Sequence, residues 1–66
     1  MKLHIDKEAD ALFLRLDNSK ITESEEVAPG IILDFDELNQ VVGIEILRLS
    51  TRTTKVNLDE VLLQTG

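Results

Sequence analysis

Apolar and polar residues alternate with period two in two stretches near the N-terminus. Leu3-His4-Ile5-Asp6 is the first, and Ala11-Leu12-Phe13-Leu14-Arg15-Leu16 is the second, with Leu12, Leu14 and Leu16 on one side. Alternation of this kind predicts half-buried strands. The pattern returns about thirty residues later, with Leu33, Phe35 and Asp36 matching Leu3, Ile5 and Asp6, and Val41, Val42, Ile44 and Ile46 matching Ala11, Leu12, Leu14 and Leu16, so both halves read as hairpins of one form. Burial sets the expected registers. Pairing Asp6 with Ala11, Ile5 with Leu12 and Leu3 with Leu14 gathers the aliphatic residues of the first hairpin on one face. Pairing Asp36 with Val41, Phe35 with Val42, Leu33 with Ile44 and Ile31 with Ile46 does the same for the second. A slip of one residue sets Leu33 against Gly43 and Ile31 against Glu45 and loses the apolar face. Asp6 and Asp36 suit the first position of four-residue loops, and Asn39 suits a left-handed position.

Between the hairpins, Asp17-Asn18-Ser19-Lys20 reads as a turn and Ile21–Val27 as a short edge strand whose glutamates discourage aggregation. Ala28-Pro29-Gly30-Ile31 has the residues of a type II turn. Residues 48–54 fit either a strand extension or a short helical turn. Asn57 followed by Glu60 has capping-box spacing, and Leu58, Val61 and Leu62 supply one helical face. The expected fold class is therefore α+β. It is an antiparallel β-meander of about four strands, two hairpins with a possible extra short edge strand, and a C-terminal α-helix packed on one face. Residues 1–66 form a single domain in this reading, with Leu12, Leu14, Leu33, Phe35, Ile44 and Ile46 as core beneath the helix.

Composition narrows the functions. Leu, Ile, Val and Phe make up 24 of the 66 residues, which excludes the disordered class. The chain has no cysteine, so disulfides, thiolate zinc sites and thiol nucleophiles are out. Its net charge is −6. Residues 21–47 hold seven acids and no base, a field that repels phosphate backbones and anionic membranes. No apolar run approaches a membrane span, and no leader-like segment follows Met1, so a cytoplasmic protein is expected.

No catalytic, cofactor-binding or metal-binding residue stands out. Asp6-x-Glu8-x-Asp10 has the opening spacing of a calcium loop, but Ala11 replaces the required glycine and a strand follows. Asp34 and Glu45 are expected on one sheet face near Ile32 and Gly43, with Arg15 as charge partner; Asp36 completes the acidic set. None of these has a nucleophile or oxyanion donor beside it. His4, the single histidine, has no second histidine or cysteine to work with.

The blocks "IDKEADALFLRL", "EEVAPGIILDFD" and "VVGIEIL" resemble a small, widespread prokaryotic family of unknown function. Over about residues 3–49 its members share an acidic hairpin segment, a Glu-Val-x-Pro-Gly-Ile segment and a Val-Val-Gly-Ile-Glu-Ile-Leu segment. His4-Ile5 and Phe13 stand where the family has tyrosines, and Asn39 where a hairpin glycine is common. The resemblance implies an antiparallel sheet with a terminal helix and brings no established activity. Some relatives look like the smaller member of toxin–antitoxin-type pairs with a basic, ribonuclease-like protein.

The leading functional expectation is a small acidic protein–protein interaction module that neutralises or scaffolds a small basic partner. Glu23, Glu25 and Glu26 are its candidate partner-facing residues. A homo-oligomer is expected through Phe13, Ile32, Val41 and Leu47, which point away from the helix-covered face. The alternative is a small-ligand binder or enzyme whose site forms at an oligomer interface. Direct nucleic-acid binding through Arg48, Arg52 and Lys55 has too few bases and no exposed Tyr or Trp for stacking.

Overall fold

A computed structural model describes residues 1–66. Five strands form one antiparallel sheet: β1 (Lys2–Asp6), β2 (Ala11–Arg15), β3 (Glu23–Ala28), β4 (Ile31–Phe35) and β5 (Val41–Ile46). Their spatial order is β1-β2-β5-β4-β3. The two hairpins thus join through β2 and β5, and β3 closes the far edge.

The first hairpin has the expected register, with Leu3 opposite Leu14, Ile5 opposite Leu12 and Asp6 opposite Ala11. Asp6 Oδ1 accepts from the Ala9 N–H at 3.0 Å, and Asp10 takes a left-handed φ of 54°. The second hairpin keeps Leu33 opposite Ile44 and Ile31 opposite Ile46 but departs nearer the turn. Its loop is one residue shorter than the sequence suggested. The Asp36 N–H reaches the Gln40 carbonyl, and Asn39 adopts φ 61°. Asp36 Oδ1 accepts from the N–H groups of Leu38 and Gln40, both at 2.9 Å. Phe35 consequently meets Val41 rather than Val42, and Val42 is the extra residue of a bulge between Phe35 and Asp34. The bulge absorbs the one-residue slip, so the aliphatic face is preserved.

The glutamate-rich stretch is a full edge strand. Pro29-Gly30 turns it into β4, with Gly30 at φ 72° and Ala28 opposite Ile31.

The α+β expectation is corrected: the chain is all-β, with five strands and no α-helix. Residues 48–54 resolve as a single 3₁₀ turn, Leu49–Thr51. The Asn57 side chain does accept from the Asp59 N–H at 2.9 Å, as a helix cap would. The helix does not continue, because a short helical turn cannot offset its nucleation cost without tertiary packing. That packing is incomplete: of the expected face Leu58 is half-buried, but Val61 and Leu62 are 50% and 82% exposed, and Leu63 beside them 78%.

Without the helix, the expected core loses its lid. Ile5, Leu12, Ile46 and Ile31 form one cross-strand row, and Leu3, Leu14, Ile44 and Leu33 form the next. All eight side chains lie on one face of the sheet, and all are only half-buried. Ala11 and Val42 alone among the apolar residues are fully buried, each 1% exposed. The radius of gyration is 12.8 Å, against about 10.8 Å for a compact domain of this length. The sheet is one layer. No helix is long and apolar enough to cross a membrane.

Candidate functional site

The opposite face of the sheet mixes charge with apolar surface. One row runs His4, Phe13, Glu45, Ile32, Glu26, and its neighbour runs Lys2, Arg15, Gly43, Asp34, Ser24. Asp34 and Glu45 therefore share a face beside Ile32 and Gly43, as the alternation required. Asp34 is 3% exposed, and its carboxylate accepts a 2.6 Å hydrogen bond from the Ser24 hydroxyl. Gly43 makes this burial possible: a Cβ there would lie 2.9 Å from Asp34 Oδ2. Burial, then a hydrogen bond with Asp34 and the negative charge of that neighbour, push the Glu45 carboxyl above its ordinary pKa.

Arg15 is not the charge partner of these acids. Its guanidinium donates to the backbone carbonyls of Asp17 and Ser19, which fixes the chain leaving β2, and only its aliphatic stem passes near Gly43. The His4 ring stacks on Phe13 at 6.1 Å between centroids. Lys2, His4, Phe13 and Arg15 line an open hollow of about 300 Å³. No buried side-chain nitrogen or oxygen lacks a hydrogen-bond partner. This face can hold a proton between two carboxyls. The Ser24 hydroxyl donating to Asp34 is the hydroxyl–carboxylate contact on this face.

The three partner-facing glutamates do not share a direction. Glu23 lies opposite Phe35 and Glu25 opposite Leu33, which puts both at the rim of the aliphatic face. Glu26 lies opposite Ile32, on the other face, where its Oε1 accepts from the Gly30 N–H at 3.0 Å and fastens the β3–β4 turn. All of β3 is exposed. The four residues expected at the oligomer interface are likewise divided. Phe13 and Ile32 flank Glu45 in one row. Val41 stands opposite Phe35, two positions along from Leu33 and so on the aliphatic side. Leu47 lies just past β5, its N–H bonded to the Gly30 carbonyl at 2.8 Å.

The family model described as "Protein of unknown function (DUF2283)" matches residues 2–50, about three quarters of the chain. The protein belongs to this family. No curated protein and no solved structure matches it.

The span matched to DUF2283 holds all five strands and reaches Ser50, where a second feature of the structure lies. Asp10, in the first turn, receives the Leu49 N–H on its carbonyl at 2.8 Å. Its carboxylate accepts from the Ser50 N–H at 2.9 Å and the Ser50 hydroxyl at 2.7 Å. Arg52 donates to the carbonyls of Leu47 and Pro29. Residues 47–52 of the DUF2283 chain thus clasp the β1–β2 turn to the β3–β4 turn across the end of the sheet. Sequence reasoning did not find Asp10, Ser24 or Arg52 as structural anchors. A two-residue alternation reveals faces, and it is silent about a contact spanning forty residues.

Proposed function

We propose that this chain is a protein–protein interaction module whose working surface is the aliphatic face of the sheet. The observation that supports the reading is the pair of aliphatic rows, eight Leu and Ile side chains on one face that all remain only half-buried. A sheet with one apolar face needs that face covered, and contiguous exposed apolar surface marks interaction sites. The test is chemical cross-linking in a native lysate with the wild type and with Leu33→Ser/Ile44→Ser. The wild type should give discrete protein adducts that the variant loses. Equal adducts from both would overturn the reading.

A second reading, a basic protein partner held in an antitoxin-like manner, is favoured by β3. It is an exposed edge strand carrying Glu23, Glu25 and Glu26, and the one ion pair in the structure, Lys7 with Asp59, involves none of them. Their field would speed encounter with a basic surface and fade as salt rises. Replacing all three by Gln, which keeps an acceptor for the Gly30 N–H, should slow association with such a partner at low salt. Unchanged rates across salt would reduce the strip to a solubility device.

A further inference from the structure

We infer that the occupant of the aliphatic face is a second copy of this chain, packed face to face to give a two-layer β-sandwich. This inference rests on the interaction-module reading and names its partner. The first argument is size. Five strands about 4.8 Å apart and about five residues long at ~3.3 Å each present a footprint of roughly 400 Å². Two copies joined over it, the acidic β3 rim included, cover about 800 Å² in projection, and side-chain corrugation raises the buried area toward the roughly 1,000 Å² that a specific interface needs. The tail buries Val56 and Leu58 only in part and leaves Leu62 and Leu63 82% and 78% exposed, so it is no full second layer.

The second argument is charge. Glu23 and Glu25 rim the aliphatic face at its β3 edge, whereas the β1 edge presents Leu3 and Ile5 there and carries Lys2 behind them. Two sheets packed with aligned strands can be related by a two-fold axis along the strands or across them. The crossing axis stacks β3 on β3 and brings four carboxylates together. The axis along the strands lays β3 over the partner's β1, so each acidic rim meets an edge without acids on that face. Charge selects the second arrangement. It also gives the face a self-complementary pattern, which a two-fold interface requires.

Sedimentation equilibrium of the full chain tests this. The wild type should be a dimer at micromolar concentration. Leu33→Glu should shift it to monomer, whereas Phe13→Glu, on the other face, should leave the dimer intact. Should Leu33→Glu fail to fold, Leu33→Ser serves, and at least tenfold weaker dimerisation is expected. A wild-type monomer at several hundred micromolar overturns the second-copy inference alone; the interaction-module reading falls separately, on unchanged lysate adducts. A dimer broken by Phe13→Glu and kept by Leu33→Glu or Leu33→Ser also overturns the inference. The orientation has its own measurement. A short bismaleimide should join Leu3→Cys chains to Glu25→Cys chains in a mixture, and efficient linkage between two Glu25→Cys chains would overturn the axis along the strands.

Discussion

The two faces of the sheet are built from the same five strands and solve the contact with water differently. On the face that carries Asp34, each apolar side chain has a polar neighbour in its row: Phe13 stands between His4 and Glu45, and Ile32 between Glu45 and Glu26. Its most buried acid is satisfied by Ser24 and accommodated by a glycine. The other face has two unbroken aliphatic rows across four strands, and polarity returns only at the Glu23 and Glu25 rim. One face is complete as it stands. The other is the face on which we propose a second layer, because a domain this small has little other apolar surface to bury.

The largest expected effect lies on the aliphatic face. Leu14→Ala or Ile44→Ala should cost about 2–4 kcal/mol, the range for large-to-small changes at sites that become fully buried. Phe13→Ala on the opposite face should cost about 1 kcal/mol. Chemical denaturation at two protein concentrations measures both, and the first pair should also move a concentration-dependent midpoint. Equal costs on the two faces would break the comparison.

The next effect concerns what makes the polar face complete. Gly43→Ala should destabilise by about 1–3 kcal/mol, since the new Cβ meets a carboxylate held by Ser24 rather than open space. Combining it with Asp34→Ala should recover much of that loss. A double-mutant cycle with no coupling would show that Gly43 does not serve to house Asp34.

Local rules made the strands readable from sequence, and distance hid the rest. The period-two alternation around Leu12-x-Leu14 and Ile44-x-Ile46 specified both faces and the first register. Asp6, Asp36, Asn39 and Gly30 announced their turns through chemistry confined to a few residues. Val42 was misplaced because a turn of three or four residues can follow Asp36, and only the bulge reveals which. The C-terminal helix was expected from a cap and an i, i+3, i+4 face, signals that do not show whether anything packs against them. The carboxyl pair on the polar face was legible from parity. The burial of Asp34 was not, because it depends on Ser24 arriving from a strand ten residues away.

The clasp gives a smaller effect, common to both faces. Asp10→Ala should cost about 1–2 kcal/mol, through lost hydrogen bonds to Ser50 and a non-glycine residue without a polar side chain at positive φ. Asp10→Asn, which tolerates that φ and keeps an acceptor, should cost less. Hydrogen exchange at Leu49 and Ser50 should accelerate in Asp10→Ala more than in the β4–β5 ladder. Uniform acceleration would show that the clasp does not act locally.

The smallest effect is on pH dependence. The folded pKa of Glu45 lies above its unfolded value, so the folded state binds more protons over the interval between them. Its contribution to stability is therefore fully present below the unfolded value and is lost as pH rises through the folded one. Glu45→Gln should flatten this part of the stability–pH curve. A wild-type curve that instead rises across the same interval, and is unchanged by the substitution, would contradict the assignment.

Solvent exposure of individual methyl groups tests the contrast between the faces most directly. With a soluble paramagnetic agent, methyl resonances of Leu14, Leu33, Ile44 and Ile46 should be shielded by the second layer. Those of Ile32 on the opposite face and of Val61, Leu62 and Leu63 in the tail should broaden. Equal broadening of the Leu33, Ile44 and Leu62 methyls at high protein concentration would mean that the aliphatic face is bare in solution, and the account would be wrong.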